Sequence, residues 1–172
     1  MKLRTLSAVA LVFATPCAMT ADLLPPVIID ANGVAIGRAT TSFDTPLGVY
    51  FDATGQGPLA YIPLTGTLHT KNRYLAFNFR NHVFFPTTDC SGPAWFTDEP
   101  RLGALATAAL LAGGKPLLYI ADSYDADPST IKVESRIEMG ICVTGQRHVT
   151  GYYKASATPT DLSVYVPPLT VR

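Results

Sequence analysis

The residues in this 172-residue chain with types suited to chemistry are three cysteines, three histidines and several carboxylates set in turns. The stretch Thr87 to Trp95 reads TTDCSGPAW and puts Cys90 into a tight polar turn. A cysteine there has three possible jobs: nucleophile, metal ligand or covalent staple. A nucleophile needs its thiol pKa lowered by a nearby cation or a helix N-terminus, and Asp89, the immediate neighbour, acts the other way. A structural zinc needs four ligands, and neither the cysteines nor the histidines have the paired spacing such sites use. The staple reading pairs Cys90 with Cys142, the default for an even cysteine count in an oxidising compartment. It closes a loop of about 53 residues, which chain entropy values at about 4 kcal/mol. The competing arrangement is a Cys-His nucleophile with His69, His82 or His148 as base.

Other residues invite chemistry less directly. Asp122, Asp125 and Asp127 lie in one loop, ADSYDADPST, and offer hard oxygen ligands for calcium. The plainer alternative is a solvated turn, with Asp127-Pro128 as turn chemistry. Asp30-Ala31-Asn32-Gly33 resembles the start of a calcium loop, but Val34 and Ile36 occupy ligand positions, so a turn is the better reading. Asp98 and Glu99 are adjacent, whereas a glycosidase pair must face across a cleft about 5–10 Å wide. No G-x-S-x-G elbow occurs. Trp95, Tyr119, Tyr124, Tyr152 and Tyr153 could form an aromatic surface for a protein or a carbohydrate. Aromatic residues in strands more often form core or cross-strand pairs. No motif points to a cofactor.

Residues 1–21 are expected to be a secretory signal peptide. Lys2 and Arg4 precede a short apolar run, LSAVALVFA, and small residues come after Pro16. The run is well short of the ~20 residues a bilayer span needs. Cys17 comes directly after a proline, a poor context for lipidation. The expected location is therefore secreted or periplasmic, with residues 22–172 as a single β-rich domain large enough for its own core. Without Lys2 and Arg4, 11 basic residues face 13 acidic ones, and no basic patch suggests nucleic-acid binding.

The elements that would position these residues are strands. Val27–Ala31 and Val34–Arg38 flank Asn32-Gly33, the signal of a hairpin with a type I′ turn. Further strands are expected at residues 47–51, 59–64, 73–79, 83–85, 94–96 and 117–121. Residues 102–112, LGALATAALLA, are apolar on every side and fit either helix or buried strand. Residues 131–143 alternate as one long strand with Ile131, Val133, Ser135, Ile137, Met139, Ile141 and Val143 on the buried parity. Cys142 then falls with the charged residues. Either Gly140 is a bulge or the staple lies outside the core. A hairpin loop is expected at Thr144–Arg147, then a strand over residues 148–154 and a last strand near residues 162–166. The sum is an all-β antiparallel sandwich or barrel of about nine or ten strands with at most one short helix.

Taken together, these residues resemble an uncharacterised family of small secreted bacterial β-rich proteins. The resemblance rests on a D-x-x-G-x-x-V/I-G hairpin (Asp30, Gly33, Ile36, Gly37), a D-C-x-G turn after an aromatic strand (Asp89, Cys90, Gly92) and a later G-x-C (Gly140, Cys142). Leu118-Tyr119, Ser135 and the Pro167-Pro168 tail belong to the same pattern. It implies structural motifs and brings no catalytic residues. Two functions are carried forward: an exported non-enzymatic structural or binding module, and a small secreted hydrolase with a dispersed site.

Overall fold

The computed structural model describes residues 26–40, 48–52, 59–66, 75–79, 82–97 and 104–172. The signal segment, Cys17, His69, Asp98 and Glu99 lie outside the described residues. The architecture is all-β: three antiparallel sheets and a single 3-10 turn at Leu162–Val164 among the described residues. The strands are β1 (Val27–Ile29), β2 (Ala35–Thr40), β3 (Gly48–Phe51), β4 (Ala60–Gly66), β5 (Leu75–Phe77), β6 (Val83–Phe85) and β7 (Trp95–Phe96). After them come β8 (Thr107–Ala112), β9 (Lys115–Ile120), β10 (Ile131–Glu138), β11 (Ile141–Val149), β12 (Tyr153–Lys154), β13 (Thr160–Asp161) and β14 (Thr170–Val171). Fourteen strands exceed the nine or ten expected. Several are only two residues long, and one expected strand divides at a turn.

The first sheet runs β14-β1-β2-β3-β4-β5. Its two ends meet where Leu75 and Leu169 exchange backbone hydrogen bonds of 3.1 and 3.0 Å, so the sheet nearly closes into a barrel. Inside sit Ile28, Ile36, Val49, Ile62, Leu64 and Leu75. Gly37 is obligatory here, because a Cβ on it would lie 2.1 Å from the Tyr50 carbonyl oxygen on the neighbouring strand. The opening hairpin forms at the expected place with a different turn. Gly33 alone takes positive φ, at 83°, and Asp30 donates its N–H to Val34 across a three-residue loop. That is a type I turn completed by a left-handed glycine, the usual three-residue alternative to type I′.

The second sheet runs β11-β10-β6-β7-β12. Between it and the barrel lies the β8–β9 ribbon, which settles the ambiguity at residues 102–112. Ala106, Ala108 and Leu110 pack into the core of the second sheet with Phe85, Phe96 and Ile137. Ala109, of opposite parity, packs into the barrel together with Leu118 from β9. The ribbon is apolar on both faces because it is a wall shared by two cores. Its alanines are short enough to let both layers approach.

Two expectations exchange places in the β10–β11 region. Residues 131–143 are not one strand: Met139 and Gly140 form a two-residue turn with φ of 50° and 83°, the type I′ pattern. The expected hairpin loop near Gly145 is instead a bulge, where the register shifts between Val133 and Ser135 and Gly145-Gln146 oppose Glu134. The turn also exchanges the faces taken by odd and even positions on β11, so Cys142 stands directly across from the buried Ile137. The last expected strand, residues 162–166, is the 3-10 turn, capped by Asp161, whose carboxylate accepts the Ser163 N–H at 2.8 Å. The terminal strand is β14, beyond Pro167-Pro168.

Candidate functional site

Cys90 and Cys142 are joined as a disulfide, with Cα atoms 5.8 Å apart. The staple ties the β6–β7 turn to the edge strand β11, with Cys90 half-buried against the margin of the core and Cys142 exposed. Polar bonds hold the turn as well. Thr87 Oγ donates to the Ser91 carbonyl at 2.6 Å, and Asp89 accepts from the Ser91 hydroxyl at 2.6 Å. The Ser91 hydroxyl leads in holding the Asp89 carboxyl below the usual carboxylate range. Cys90 itself sits at φ 57°, a region that is costly for a residue with a side chain. Its N–H donates to Ser135 Oγ at 3.0 Å, and the same hydroxyl donates to the Thr87 carbonyl at 2.5 Å. Ser135 is fully buried. One hydroxyl thus clamps both ends of the strained turn.

This stapled turn forms one wall of an open groove of about 920 Å³. The opposite side comes from β12 and the segment after it, Lys154 to Ala157, and from Tyr119 and Asp122 at the end of β9. Tyr119 is 8% exposed, and burial pushes its hydroxyl pKa up, so it stays protonated. No hydrogen bond or ion pair engages the side chains of Tyr119, Asp122 or Lys154 among the described residues. These polar side chains line the groove with their hydrogen-bonding capacity unused by the described residues, so it is open to a ligand.

The other proposed site residues are dispersed. Tyr153 is buried and stacks on Phe96 at 6.0 Å, inside the core. Tyr152 meets Phe84 edge-on at 5.3 Å, and Trp95 packs half-buried against the same small cluster. Tyr124 is exposed. Trp95 and Tyr152 share one small cluster while Tyr153 lies in the main core and Tyr124 on the surface, so the four make no continuous platform. Asp122 lines the groove, while Asp127 caps its own turn by accepting from Ser129 N–H at 2.8 Å and from the Ser129 hydroxyl. The Ser129 bonds lower the Asp127 pKa. Asp125 takes part through its carbonyl, which accepts from Ser123 Oγ. Among the described residues no three carboxylates, cysteines or histidines gather as a metal site.

His82 lies 3.8 Å from Glu138, and Glu138 also holds Arg136 at 2.6 Å. His82 and Glu138 are partly exposed, on a sheet surface away from the groove. His148 is exposed on β11. A second, mainly apolar hollow of about 270 Å³ opens at the barrel, lined among others by Phe77, Phe79 and Tyr165. No helix among the described residues is long and apolar enough to cross a membrane.

Sequence reasoning paired Cys90 with Cys142 and named Asp122 only as a calcium candidate, and it gave no site role to Lys154 or Ser135. Each of these acquires its role from a neighbour distant in the chain, and no local pattern marks it. Comparison of the chain with protein-family models, curated proteins and solved structures found no match.

Proposed function

We propose that the protein is an exported, non-enzymatic binding module whose ligand sits in the groove beside the Cys90 turn. One observation carries this reading: a covalently and polar-clamped wall frames a groove lined by a tyrosine whose side chain has no hydrogen-bond partner among the described residues. A wall that need not be ordered on binding favours affinity, since less freedom is lost in the complex. The N-terminal segment and the disulfide support export together. Binding is favoured over hydrolysis because the groove's described lining offers one carboxylate and no histidine. General acid-base chemistry needs its groups within hydrogen-bond reach of the reacting atoms, and the His82–Glu138 pair stands elsewhere.

The test uses the exposed groove residue Ala157. Labelled protein should be retained saturably on bacterial envelope preparations, and Ala157→Trp, which fills the groove, should abolish retention without changing the melting temperature. Turnover of ester, glycoside or peptide substrates that disappears in His82→Ala would overturn the non-enzymatic reading.

A further inference from the structure

We propose that the groove beside the stapled turn is a subsite for a neutral, hydroxyl-rich ring, a residue of a carbohydrate, held by the Tyr119 hydroxyl, the Asp122 carboxylate and the Lys154 ammonium. This rests on the binding reading above and gives it a ligand class. The hydrogen-bonding inventory points to that class. Asp122 only accepts, Lys154 only donates, and Tyr119 and Ser156 do both. A ligand that satisfies all of them without bringing its own charge must carry groups that both donate and accept, which is the property of clustered hydroxyls. One carboxylate and one ammonium line the same side of the groove, on segments whose backbones are paired, so the lining has no net sign to select an anion or a cation.

The backbone argues against an extended peptide. Ala155 N–H donates to Ala94 at 2.9 Å, Ser156 N–H to Ile120 at 2.8 Å and Asp122 N–H to Lys154 at 3.0 Å. These strand-end N–H groups beside the groove are already paired, so an incoming strand finds none of them free to extend a ladder. Recognition falls to side chains, with Phe85, Pro93 and Ala94 providing apolar contact for the C–H faces of a ring.

Titration of the purified protein with neutral mono- to tetrasaccharides, monitored by NMR, tests this. Shifts should be confined to residues 91–94, 119, 122 and 154–157, with affinity nearly independent of salt. Tyr119→Phe should weaken binding roughly tenfold, the worth of one well-made hydrogen bond, while leaving the melting temperature unchanged or higher. Asp122→Asn, a change on the exposed side of the groove, should weaken binding with the fold intact. If glycine dipeptides shift these residues in a salt-sensitive way and saccharides do not, the ligand class is overturned and the groove survives as a binding site. If neither probe perturbs the groove, both readings fall.

Discussion

Asp30 is 2% exposed and still carries a charge that backbone donors stabilise. Its carboxylate accepts N–H groups from Val34 at 2.7 Å, Asn32 at 2.9 Å and Val166 at 3.1 Å. The Val166 bond leads in lowering its pKa, against the opposing effect of burial. The first two partners belong to a local turn and are legible in D-x-x-G. The third lies 136 residues away and appears only on folding. A carboxyl lowered by folding binds fewer protons than in the unfolded chain, so its stabilisation is present above the ordinary carboxylate pKa of about 4 and is lost as pH falls through the folded value. Asp89, Asp127 and Asp161 are shifted the same way by their own turns. The melting temperature should therefore drop as pH falls below about 4. Asp30→Asn, which cannot titrate, should be less stable at neutral pH and show a shallower acid drop. An identical pH slope in the two proteins would refute the role given to Asp30.

Among the elements, the β10–β11 hairpin is where periodicity misled. Alternation of apolar and polar residues runs through 131–143 without interruption, yet the two-residue turn exchanges the faces of odd and even positions, so Ile141, in step with the buried residues by sequence, is exposed. The geometry shows instead in backbone angles: Met139 takes φ 50° while its side chain is 95% exposed. A left-handed conformation costs an ordinary residue about 1–2 kcal/mol, and the first position of a type I′ turn prefers asparagine. Met139→Asn should raise stability by about 1 kcal/mol in urea unfolding, with the disulfide intact. An unchanged or lower midpoint would contradict the turn assignment. The opening hairpin shows the converse. Asn32-Gly33 correctly announced a reversal, yet a third loop residue changed its type, since the extra position relieves Asn32 of positive φ.

At the scale of the molecule, two cores share the β8–β9 ribbon, and one covalent link crosses the second sheet. The disulfide joins residues 52 apart and encloses β7, the ribbon and β10. Removing it frees the unfolded chain, so Cys142→Ser should cost about 3–4 kcal/mol. The loss should appear as a lower urea midpoint, and reductant should reproduce it in the unmutated protein. A midpoint insensitive to reductant would show that the link contributes nothing. By itself the sequence determined the β class, most strand positions, the hairpin at Asn32-Gly33 and the Cys90–Cys142 pairing, because strand alternation, turn residues and cysteine count are local or compositional properties. Tertiary structure alone decided that residues 107–112 form a strand. Their apolar character satisfies two cores at once, and a sequence shows how apolar a segment is without showing how many partners it has. It also decided that Ser135 clamps the Cys90 turn and that Tyr119, Asp122 and Lys154 share a groove. Those side chains are brought together by contacts between β9, β12 and the β6–β7 turn, which long-range pairing creates and which no spacing along the chain encodes.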